Sequence, residues 1–148
     1  MIDQNRRMFI RPLTLALLVS IVLELISFAL FSGVGATSSQ SLILFIWMVG
    51  CGGIGMGAIL GVLLDLIIVG RLAGKEAVQG TVLLTVLTMG IVAKLLSINV
   101  LPLMGMLTAV NATLFFIVGV TGALAGGWVL GKLLFSKEGN AKLARLGL

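Results

Sequence analysis

Two residues able to do acid–base chemistry sit deep in apolar sequence: Glu24 and Lys94, 70 positions apart. A lone carboxylate or ammonium in lipid is costly unless it is paired, neutralised or hydrated. Two chemistries fit them. One is a proton or ion site; the other is a fixed ion pair that sets helix register. Asp65 lies about one turn before Gly70-Arg71. It is expected near the interface, paired with Arg71, Lys75 or water. Histidine and tyrosine are absent, and the one cysteine, Cys51, lies in an apolar run. Imidazole bases, phenolic acids and metal sites built on nitrogen or several sulfurs are therefore excluded. With no nucleophile–base set and no nucleotide loop, the chain is expected to be no enzyme and to carry no cofactor or metal.

The elements that position these charges follow from composition. Of 148 residues, 59% are hydrophobic and 10% charged. A soluble domain carries about 25% charged residues, so part of the solvent of this chain must be lipid. A spanning helix needs about 20 apolar residues. Four segments qualify: 12–31, 42–69, 81–101 and 107–135. Pro12 suits a first helical turn, and Pro102 is expected to end the third span. The second and fourth spans exceed the need, which predicts tilt or protruding ends.

Charge sets the direction. Arg6, Arg7 and Arg11 precede the first span, Arg71 and Lys75 separate the second from the third, and Lys132, Lys137, Lys142 and Arg145 close the fourth. The connections 32–41 and 102–106 carry no Lys or Arg. Positive-inside then puts both termini in the cytoplasm of an inner, plasma or thylakoid-type membrane. The net charge of +5 is thus read as topology, with no nucleic-acid partner. A signal peptide cut after Val34-Gly35-Ala36 is disfavoured, because the apolar stretch is long and Glu24 interrupts it.

The chain matches itself at an ungapped offset of 70. Leu13 meets Leu83, Leu17 meets Leu87, and Gly52, Gly57 and Gly61 meet Gly122, Gly127 and Gly131. The expected fold is one all-α domain over 1–148 with four transmembrane helices. They form two duplicated hairpins, about 11–70 and 81–140, with interfacial ends at 1–10 and 136–148. The copies share one orientation, so their pseudo-twofold axis runs along the membrane normal. Ser136–Leu148 reads as an amphipathic tail or a docking segment.

Glycine marks the packing faces: Gly50, Gly53, Gly57 and Gly61 in the second span, and Gly119, Gly127 and Gly131 in the fourth, with Ala123 between. Small residues at a spacing of four let backbones approach closely in lipid, so each of these spans is expected in a tight contact. The glycines of 50–57 also permit an unwound segment lining a pore. Glu24 and Lys94 are expected at one height, about 18–20 Å from the cytoplasmic edge. Three arrangements stay open for them: a pair across the diagonal of one bundle, a pair between protomers, or separate residues of a water cavity.

Two local resemblances accompany this pattern, each covering well under half the chain. The second span, its basic loop and Gly80-Thr81-Val82-Leu83-Leu84-Thr85 resemble a rotor-ring proteolipid of an ATP synthase. The position similar to that family's ion-binding carboxylate is Gly90, where this chain departs from the family's proton-translocating pattern. Gly90 and Lys94 are similar to a Gly–Lys pair in the four-span accessory subunit I of ATP synthase. Neither supports membership. Two functions are expected as alternatives. One is an accessory, assembly or scaffolding subunit that docks helices through glycine faces. The other is a small oligomeric transporter or channel with Glu24 and Lys94 at a midplane site. The expected partners are membrane lipid and either further copies of the chain or other membrane-protein subunits.

Overall fold

The computed structural model describes residues 2–32, 38–103, 105 and 108–147, and the side chains of 2–8, 32, 38, 96, 97 and 109 stand outside that description. The candidate cleavage triplet at 34–36 therefore lies outside the described residues. So do the side chains of Arg6 and Arg7. Every regular element among the described residues is helical. Four helices are long and apolar enough to cross a membrane: Phe9–Phe31, Ser39–Ile68, Gly74–Leu103 and Val110–Phe135. They are the spans of a multi-pass membrane protein. The second and third run 30 residues each, about 45 Å of helix for about 30 Å of hydrocarbon.

Both prolines lie inside longer helices than the sequence suggests. The first helix begins at Ile2, so Pro12 stands in its interior, buried. The third span carries Pro102 in a final turn, Leu101–Leu103, after a π-helical turn, Leu96–Val100. The helix ends just beyond, where Gly105 at φ +65° donates its N–H to the Pro102 carbonyl. A π register bonds each carbonyl one residue further on, which lets the chain pass the N–H that proline lacks.

The glycine-rich part of the second span is not unwound. Ile46–Met56 forms a π-helix that runs into the α-helix Gly57–Leu63. Backbone groups in hydrocarbon must find internal partners, and a wide helix satisfies them where an open segment would not. The span closes on a π turn, Leu64–Ile68, and Val69 turns to extended backbone. Gly70 and Gly74 at positive φ then reverse the chain into the third span.

The spans form a ring in chain order. The first packs closely on the second and the third on the fourth, while the two hairpins meet through the first and fourth spans and through the second and third. Two apolar layers close the bundle. At the end that carries both termini, Leu15, Leu60, Leu64, Ala77 and Leu130 are buried together. At the other end Phe31, Leu44, Met48, Val100, Leu101 and Phe115 form the second layer. The Phe31 and Phe115 rings there lie 4.0 Å apart between centroids.

The tail is a docked helix, Lys137–Arg145, whose Leu143 enters the layer at the terminal end. Ser136 makes the corner. Its hydroxyl donates to the Lys132 carbonyl and accepts from the Gly139 N–H at 2.9 Å. Gly139 lies flat on the last turn of the fourth span, where a Cβ would collide with the Lys132 and Leu133 carbonyls.

Candidate functional site

The glycine ladders work within each hairpin, each against the helix that precedes it. A Cβ on Gly61 would lie 2.7 Å from Leu13 Cα, and one on Gly57 or Gly53 would lie 3.1 Å from the Cα of Leu17 or Ile21. In the second hairpin a Cβ on Gly127 would lie 2.9 Å from Val82 Cα, and one on Gly131 3.1 Å from Val78 Cα. Gly119 faces Ala93 at 3.3 Å. Gly50 is the exception among the expected packing glycines, because a Cβ there would meet nothing within 4 Å. The second and fourth spans therefore use their small faces on the edges of the ring and leave both diagonals to side chains.

Glu24 occupies the centre of that ring. It is 9% exposed and lines a cavity of about 30 Å³ to which all four spans contribute. Leu23 and Ser27 come from its own span, Met48 from the second, Met89, Val92 and Ala93 from the third, and Phe115, Gly119 and Gly122 from the fourth. A water needs about 10–15 Å³ of such space, so the cavity has room for about two. Gly52 makes the place for the carboxyl, since a Cβ there would stand 2.7 Å from Glu24 Oε1. Polarity in the cavity wall is sparse: Glu24 and Ser27 against thioethers, an aromatic ring and aliphatic groups.

Lys94 is elsewhere. It is exposed and lines an outer groove with Leu87, Gly90, Ile91, Ala112 and Phe116. Glu24 thus lines the central cavity and Lys94 the outer groove. The reason is register. Facing residues recur at an offset of 70 in the second and fourth spans, where Gly57 and Gly61 correspond to Gly127 and Gly131. In the first and third spans they recur at an offset of 65. Leu13 corresponds to Val78, Leu17 to Val82, and Ser20 to Thr85. The positional counterpart of Glu24 is then Met89, which lines the same cavity. Lys94 stands five residues further on. That is a rotation of about 140° and a rise of about 7.5 Å. It carries Lys94 off the inner face and into the outer groove.

The remaining polar groups are mostly satisfied within their own helices. Thr81, Thr85 and Thr88 form a buried stripe on the third span. Thr81 donates to the Ala77 carbonyl at 2.7 Å, Thr85 to Thr81 at 2.7 Å and Thr88 to Leu84 at 2.9 Å. Hydroxyl bonding of this kind is local and makes no path across the bundle. Ser20 is fully buried, and its hydroxyl has no hydrogen-bond partner among the described residues. Asp65 is half-buried in the last turn of the second span, and Arg71 is exposed in the loop that follows.

Sequence reading missed Met48 and Met89 as walls of the central cavity, because a methionine in an apolar helix carries no signal of its own. The signal for Met89 was the spacing of the third span's small polar residues, Thr81, Thr85 and Thr88, which marks the inner face. No protein-family model matches this sequence, and neither a curated protein nor a solved structure matches it.

Proposed function

We propose that the chain is a non-enzymatic accessory or assembly subunit of a membrane complex, held in place by its outer helix faces. The observation that carries this reading is the narrow centre. The central cavity that Glu24 lines holds about two waters, and apolar layers stand above and below it. A solute larger than water has no room there. The two hairpins are read as a duplication in which the loop between them shifted the register of the third span. The recurrence of facing residues supports that reading. Basic residues gathered at one end support cytoplasmic termini, in an inner, plasma or thylakoid-type membrane. Glu24 then acts as a buried polar key that fixes how the hairpins meet, and Lys94 as an interfacial anchor or a contact to another subunit.

The alternative, a small oligomeric transporter or channel, draws on one observation. A carboxyl at the centre of a ring of four spans is costly and is the usual mark of an ion path. One experiment separates the two. The purified chain is reconstituted into liposomes, and proton, sodium and potassium flux is compared for wild type and Glu24→Gln. The accessory reading expects flux equal to that of empty liposomes for both. It also expects a membrane complex to be lost from native gels when the chain is deleted. Flux that Glu24→Gln abolishes would replace it with the transporter reading.

A further inference from the structure

The outer seam between the third and fourth spans carries a groove of about 730 Å³ near the end with both termini. That size falls within the range of about 300–1,000 Å³ usual for small-molecule sites. Its walls are apolar, with Val82, Leu83, Val86, Leu124 and Trp128 among them, and its lip is basic. Lys75 and Lys132 stand on opposite sides, one from each span. Both are exposed, and among the described residues no acidic side chain lines the groove. Lys132 Nζ lies 5.7 Å from the centre of the Trp128 ring, and both residues line the groove.

We infer that this groove is a binding site for one anionic glycerophospholipid, its phosphate between Lys75 and Lys132 and an acyl chain lying along Val82 and Val86. Charge complementarity selects this occupant. A basic lip over an apolar slot between spans matches a headgroup above its own chain. A transmembrane helix of another protein would have to cover the two ammonium groups or leave the slot part-filled. The proposal rests on the membrane reading alone. The accessory role can fail and leave it standing.

The test uses the full chain in neutral detergent, delipidated and then titrated with phosphatidylglycerol or phosphatidylcholine of matched chains, with native mass spectrometry as the readout. Each lysine near an anionic headgroup contributes about 1 kcal/mol. The double variant Lys75→Gln/Lys132→Gln is then expected to lose about 30-fold of the phosphatidylglycerol preference. Lys75→Arg/Lys132→Arg should keep it. Val86→Trp, which fills the slot and spares the charges, should lower retention of both lipids. Circular dichroism confirms that each variant is folded. Equal retention of the two lipids by wild type overturns the proposal. So does an unchanged preference in the glutamine variant, or cross-linking from Leu83→Cys to another polypeptide in place of lipid.

Discussion

Replacing single glycines by alanine tests the packing directly, because the bundle offers a matched control in the same helix. Alanine at Gly61 puts a methyl 2.7 Å from Leu13 Cα, where ordinary contact begins near 3.4 Å. Backbone cannot rotate away as a side-chain tip can, so the first and second spans must part by several tenths of an ångström. Overpacking of this kind costs about 1–3 kcal/mol. Higher helix propensity returns up to about 1 kcal/mol, leaving an expected net loss of about 1–2 kcal/mol for Gly61→Ala. Gly127→Ala, at 2.9 Å from Val82 Cα, should behave alike in the second hairpin. Gly50→Ala meets nothing within 4 Å and should be neutral or stabilised by up to about 1 kcal/mol. Reversible unfolding in mixed micelles titrated with dodecyl sulfate reads the differences. Should Gly61→Ala prove as stable as Gly50→Ala, the close backbone approach is wrong, and with it the in-hairpin use of the ladders.

Three further outcomes are expected. Glu24→Gln and Lys94→Gln should be additive within about 0.5 kcal/mol in the same unfolding assay, because residues that share no contact act independently; coupling above about 1 kcal/mol would restore a direct pair. Leu143→Ala should destabilise by about 2–4 kcal/mol and speed tryptic cleavage at Lys142, as the docked helix leaves the layer it closes; an unchanged cleavage rate would mean the helix is not held there. A Leu103→Cys variant, with Cys51→Ser removing the native thiol, should react with an impermeant maleimide on intact cells. Leu103 is 86% exposed at the end opposite the termini, and reaction only after lysis would reverse the orientation.

The spans were legible because lipid imposes a length, and that length is written in composition. Bounds were less legible: the first helix runs through Pro12, and at Pro102 a π turn precedes the proline and carries the helix past it. The tight contacts of the second and fourth spans were legible in their glycines. Their partners were not, because a small face says that something approaches and not what. Glu24 and Lys94 line different spaces within one chain for a more particular reason. Leu13 and Leu17 match Leu83 and Leu87 by identity, yet Leu13 and Leu17 face the ladder while Leu83 and Leu87 are 62% and 55% exposed. Leucine is favoured on both faces of a membrane helix, so its matches carry almost no register. Residues excluded from one face carry far more. Ser20 and Thr85 are both fully buried, and each meets a ladder glycine, Gly57 or Gly127. Aligning on them moves the third span by five residues and puts Met89 opposite Glu24 across the shared cavity. The asymmetry between the hairpins at their centre is therefore a carboxyl against a thioether. Gly52 makes room for that carboxyl, and the few water volumes beside it lie where it can be hydrated.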